Sequence, residues 1–371
     1  MLEACFKRLK QSLRGNKITF DFCVEKTANV LKKSSKRAII KPKYRFVFWR
    51  KVMIFEKQVV NMYKGMMHTR CDDTETVFYF SKDDFEGLKS EAVSFTSSMG
   101  HTLVGYLYQY EGAGDNRLIV FDHGFGGGHR AYMKEISKLC EHGYKVFSYD
   151  HTGCMESGGE TPNGLSQSLS DLNDCLNMLK ADERFASMDI SVMGHSWGAF
   201  STMNIAALHP EVSHVVAISG FVSVADMVGT FFGGLLKGYR KPILELETKS
   251  NPIFSRYNSA ESLKSSGVKA LLIYSDNDTI CKPIHYETLR ERLRDTESVS
   301  FLITEGKGHN PNYTRAAAEY VLEFGKARAR LARNKKATKD DKARFVASYD
   351  WHRMTEQDEV VWKAILDHLN S

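Results

Sequence analysis

The run Asp189-Ile190-Ser191-Val192-Met193-Gly194-His195-Ser196-Trp197-Gly198-Ala199-Phe200 constrains the fold more than any other stretch of this chain. A short strand-like segment, Ile190 to Met193, meets Gly-His-Ser-Trp-Gly, and a helical pattern follows. A serine at the apex of so tight a strand-to-helix turn sits at strained backbone angles, the G-x-S-x-G elbow of nucleophilic serines. Gly194 and Gly198 flank it because a Cβ at either position would collide with the neighbouring strand or helix. The amide of Trp197, at the helix N-terminus, points toward any oxyanion formed on an acyl group attacked by Ser196.

The segments around this turn supply a sheet. Ala92 to Thr96 and Leu103 to Tyr110 alternate about the turn Ser97-Ser98-Met99-Gly100, a hairpin. Leu118 to Phe121 is continuously apolar, as buried parallel strands are. Further strands are expected at Tyr144 to Tyr149, His214 to Ser219, Lys269 to Tyr274 and Ser298 to Thr304. Helices are expected between them at Arg130 to Glu141, Ser166 to Ala181 and Tyr286 to Leu293. Such alternation means an α/β fold, a mostly parallel central sheet with helices on both faces.

Two stretches interrupt the alternation. Residues 222–264, with Phe231-Phe232-Gly233-Gly234-Leu235-Leu236 and two prolines, suit a lid or acyl-pocket wall, or a plain helical excursion over the sheet. Residues 332–350 read as a charged, exposed insertion. Thr355-Glu356-Gln357-Asp358 then resembles a capping box that opens a final amphipathic helix.

Charge separates the N-terminal part from this body. Residues 1–70 hold 18 Lys and Arg against four acidic residues, a charge of +14, which leaves −8 on the remainder. Helical patterns cover Leu2 to Leu13, Asp21 to Lys33 and about Tyr44 to Met66. A basic helical extension over 1–88 is therefore expected ahead of an α/β body over 89–371. Its aromatic residues Phe46, Phe48, Trp49, Phe55 and Tyr63 need burial, so the extension is read as docking on the body. Weak contact of its basic helices with a membrane surface is the alternative. No nucleic-acid motif accompanies the charge, and no nucleic-acid partner is expected. Seven dispersed cysteines without a C-x-x-C pair read as reduced thiols. With no signal-peptide pattern and no apolar run of about 18 residues, a cytoplasmic location is expected.

A serine hydroxyl is inert until a base takes its proton, and the base needs an orienting acid. Two loops at the C-terminal side of the expected sheet offer these groups. Ser275-Asp276-Asn277-Asp278 follows one strand, and Glu305-Gly306-Lys307-Gly308-His309 follows the next. His309, set among glycines before a helix, has little core to fill and is the candidate base. The acid is Asp276 or Asp278.

Residues 91–371 resemble the α/β-hydrolases, whose triad runs in this order of serine, acid and histidine. The resemblance implies that the acid is the fourth residue of its turn, Asp278, with Asp276 the runner-up. His-Gly at the end of an inner strand, matched by His123-Gly124, implies the Phe125 amide as second oxyanion donor beside Trp197. His123 is then structural or lines the site, and is not the base. The family's D-x-x-G-x-G-x-S loop is matched at Asp150, Gly153 and Ser157, but Met155 replaces its second glycine. The implied activity is acyl transfer from a small-molecule substrate through Ser196, with a carboxylic ester as the leading substrate. Aminopeptidase-like or thioesterase activity on the same triad, and a non-catalytic membrane- or partner-binding scaffold, are the competing readings. No metal site, P-loop or dinucleotide fingerprint is visible, and no cofactor is expected.

Overall fold

A computed structural model describes residues 42–71, 80–114, 116–334 and 336–371. The helical patterns expected over Leu2 to Leu13 and Asp21 to Lys33 lie outside them. The third pattern is a helix, α1 (Pro42–Met67). It is followed by β1 (Lys89–Thr96), β2 (Thr102–Gln109), β3 (Arg117–Asp122), α2 (Met133–Glu141), β4 (Lys145–Tyr149), α3 (Gln167–Ala181) and β5 (Asp189–His195). Next come α4 (Trp197–Ile205), β6 (His214–Ile218), α5 (Val224–Phe231), α6 (Arg240–Ser250), α7 (Ser259–Ser266) and β7 (Lys269–Ser275). The remaining elements are α8 (Ile284–Arg292), β8 (Val299–Thr304), α9 (Arg315–Leu331), α10 (Lys339–Ala347), α11 (Trp351–Met354) and α12 (Glu359–Leu369).

The eight strands form one sheet in the order β1-β2-β4-β3-β5-β6-β7-β8. The β1–β2 and β2–β4 pairs are antiparallel and the other five are parallel. Successive side chains of a strand point to opposite faces, which splits the core in two. On one face, Leu118, Val120, Ile190, Val192 and Val215 pack with α1, α3, α4 and the helices inserted after β6. On the other, Ile119, Phe121, Met193, Val216 and Ile273 pack with α2 and α12, where Trp362 and Ile365 are fully buried.

In α1, Val59, Tyr63 and Met67 recur every four residues as one buried stripe. Tyr63 Oη donates to the buried Glu247 Oε1 of α6 at 2.7 Å, and His68 Nε2 lies 3.5 Å from the same oxygen. The other carboxylate oxygen accepts from the amide of Leu165 at 2.7 Å. Helix α1 is thereby fixed to the insertion, and the insertion to the body.

Two local expectations need correction. Asp358, not Thr355, caps α12, its Oδ1 accepting from the amides of Val360 and Val361. Thr355 Oγ1 donates instead to Trp351 O, because the short helix α11 intervenes. The charged stretch also contains α10, opened by a Thr338–Asp341 capping box and packed through Phe345 and Val346 against Phe324.

Candidate active site

Parallel strands deliver their following loops to one edge of the sheet, and the site is assembled there. At the end of β5 the chain turns sharply into α4, and Ser196 occupies that turn with φ 57 and ψ −106. A side chain pays a steric penalty in this left-handed region, so the surroundings must hold it there. The Ser196 amide donates to Ile218 O of β6 at 2.7 Å, and its carbonyl accepts from Phe200 at 3.1 Å. A Cβ on Gly194 would strike the Gly198 carbonyl, and one on Gly198 would strike the Asp122 carbonyl at the end of β3. Both glycines therefore serve close approach. Trp197 stands first in α4, anchored by its indole donating to Leu165 O at 2.6 Å.

The loops after β7 and β8 are laced together residue by residue. Asp276 Oδ1 accepts from the Gly306 amide at 2.8 Å, and Ser275 Oγ from Lys307 at 3.0 Å. Asn277 Oδ1 accepts from Gly308 at 2.7 Å. The last rung is His309 Nδ1 against Asp278 Oδ2 at 2.7 Å. Asp278 is buried, and its second oxygen accepts from the amides of Ile280 at 2.7 Å and Cys281 at 3.2 Å. Its neighbour Asp276 is exposed and engaged with the Gly306 backbone. The structure thus brings Asp278, and not Asp276, to His309. With Nδ1–H donated to the carboxylate, Nε2 of His309 is left as the basic nitrogen. The His309 ring lies 4.7 Å from the ring of His195, next to the elbow serine. Cys281, fully buried, joins the site through its amide, which donates to Asp278; nothing in the sequence pattern marks it.

Phe125 lies on the turn after β3, and its ring meets that of Trp197 edge-on at 5.0 Å. Beneath this turn the titratable groups are deeply buried. His123 accepts from the His151 amide through Nε2 at 3.0 Å, so its Nδ1–H donates to Gly124 O at 2.8 Å. Burial, reinforced by neighbouring His151, pushes His123 down to about 3 and keeps it neutral. Its role is to tie the turn after β3 to the loop after β4. His151 is the opposite case. Burial pulls it down, but Asp122 at 3.0 Å and Asp171 at 3.3 Å outweigh that and hold it up at about 9.

The loop after β4 keeps its shape without the second glycine. Met155 adopts φ 43, the left-handed conformation that a glycine would take without strain. Asp150 Oδ1 accepts from the His129 amide at 2.9 Å and pairs with its ring at 2.8 Å. Arg70, just beyond α1, donates to Met155 O at 2.6 Å and to Gly159 O at 2.7 Å. Cys71 adds backbone bonds to Gly153 O at 2.9 Å and from the Met155 amide at 3.0 Å. A piece of the N-terminal extension therefore braces this loop. The sequence gives no sign of it beyond the odd methionine.

The topology, with the strained serine following its fifth strand, is the α/β-hydrolase fold. Within it, residues 114–264 match the family model of serine aminopeptidase, S33. The chain is 24% identical over 139 residues to the candidate carbamate hydrolase RutD of Agrobacterium fabrum, covering 37% of this chain and 51% of that protein. It is 29% identical over 163 residues to a proline iminopeptidase of Saccharolobus solfataricus, covering 43% of this chain and 49% of that one. It thus spans about half the length of these curated relatives. An esterase of Pyrococcus furiosus shares the fold with a TM-score of 0.53 and 22% identity, over 71% of this chain and 98% of its own. No helix among the described residues is long and apolar enough to cross a membrane.

Proposed function

We propose that the protein is a serine hydrolase that cleaves a carboxylic ester through an acyl-enzyme on Ser196. The observation that carries this reading is the 2.7 Å pairing of His309 with the buried Asp278, on loops at the same sheet edge as a serine held at φ 57. Ser196 Oγ attacks the acyl carbonyl while His309 Nε2 takes its proton, and Asp278 holds the imidazole and stabilises its cationic form. The amides of Phe125 and Trp197 receive the oxyanion. His309 next gives its proton to the leaving group, then activates water to release the acid and free the serine. A fluorophosphonate probe should label the wild-type protein and leave Ser196→Ala untouched; labelling of both, or of neither, overturns the assignment.

Cleavage of a peptide bond at an amino terminus is the second reading, favoured by the match to the serine aminopeptidase model. A panel of aryl esters, thioesters and aminoacyl anilides separates the classes, and the ester reading requires the highest kcat/KM on the esters. For the basic extension, we propose docking on the body; loss of residues 1–70 should then cost solubility, whereas a membrane anchor would lose vesicle binding only.

A further inference from the structure

We propose that His195 and Tyr132 are positioning residues that lock the backbone of the His309 loop to the oxyanion turn, a role that rests on the serine-hydrolase reading. His195 Nε2 lies 2.8 Å from His309 O, His195 Nδ1 lies 2.9 Å from Tyr132 Oη, and the Gly124 amide donates to that same Oη at 3.1 Å. The sense of every bond follows from chemistry. A carbonyl only accepts, so Nε2 carries the proton. A neutral imidazole then leaves Nδ1 as an acceptor, which takes the Tyr132 O–H. The phenolic oxygen keeps a lone pair for the Gly124 N–H. One continuous chain results, from the candidate base to the residue immediately before Phe125.

The arrangement works with a neutral His195 and fails with a charged one. An imidazolium would donate from both nitrogens, and the Tyr132 hydroxyl would then meet two donors and have no acceptor for its own proton. Burial, with His309 next in weight, holds His195 down at about 3, so it stays neutral while its neighbour 4.7 Å away becomes cationic during turnover. Two imidazoliums at that spacing would oppose proton transfer to His309. The geometry also explains Gly124. A Cβ there would run into the Tyr132 hydroxyl and displace the link. The chain acts on the spacing between base and oxyanion donor, where errors near 1 Å cost about 100-fold in rate.

The test uses the full-length protein with fluorophosphonate titration of active sites, so that kcat is expressed per competent molecule and misfolded protein is not counted. Tyr132→Phe, which removes a single oxygen, and His195→Ala should each lower kcat by about 10- to 100-fold, with KM changed by less than about threefold. His195→Gln keeps a donor and an acceptor side by side and should recover most of the loss, whereas His195→Met, which fills similar space without them, should not. If His195→Ala fails to fold, Tyr132→Phe with His195→Gln decides the matter. Wild-type labelling that vanishes in Ser196→Ala, together with variants that keep kcat per titrated site, overturns the relay and leaves the hydrolase reading intact. A glutamine variant no better than alanine, or losses confined to KM, overturns it too. Absence of wild-type labelling brings down the hydrolase reading, and the relay falls with it.

Discussion

Asp278 meets His309 at 2.7 Å through one carboxylate oxygen while the other is filled by backbone amides of its own turn. The carboxylate therefore cannot rotate away, and the imidazole it holds has one tautomer. Asp278→Asn should offer His309 an amide in place of a carboxylate and lower kcat by about 10⁴-fold. Asp276→Asn keeps an acceptor for Gly306 and should change kcat by less than about threefold. Steady-state kinetics on one aryl ester compares the two; a larger loss in Asp276→Asn would reassign the acid.

Arg70 spans two carbonyls with two guanidinium nitrogens, a geometry that a lysine ammonium cannot reproduce. Arg70→Lys should therefore loosen residues 150–159 even though the charge survives. Hydrogen exchange is the suitable measurement. Amides of Gly153 and Met155 should lose protection in the variant, and Arg70→Ala should cost about 2 kcal/mol of stability.

Tyr63→Phe removes a buried donor to Glu247 and leaves the carboxylate with fewer partners. Loss of a hydrogen bond to a charged group costs about 1.5–3 kcal/mol, visible as a lower denaturation midpoint. Unchanged stability would show that α1 is not fastened through this pair.

Glu135 is buried, and desolvation raises it to about 7 against the bonds from Asn312 and Gln357 that favour its charged form. A carboxyl with a raised folded pKa contributes stability that is full below about pH 4.5 and is lost as pH rises through about 7. Glu135→Gln keeps the acceptor and cannot ionise. Relative to wild type, the variant should therefore gain up to about 3 kcal/mol above pH 8 and gain little near pH 4. Thermal melts at the two pH values check the sign.

The parallel sheet was legible because its strands are short apolar runs separated by helical periodicity, and Leu118 to Phe121 needs two buried faces. The elbow was legible because Gly194 and Gly198 have a steric cause that acts within a few residues. What joins across long separations was not. Nothing near Arg70 announces Met155, and nothing near Tyr63 announces Glu247, since burial of one polar pair leaves no periodic trace. The cap of α12 was misplaced for a related reason: Thr355 and Asp358 are both good caps, and tertiary packing of α11 selects the second. Whether Met155 could hold a glycine conformation was likewise decided by a distant brace.

The bond between Tyr63 and Glu247 spans 184 residues of chain. A ribosome adding about 5–20 residues per second exposes the apolar stripe of α1 for roughly 10–40 s before its seat on α6 exists. Over that interval Val59, Tyr63 and Met67 lack their buried seat, in a segment whose net positive charge favours solubility.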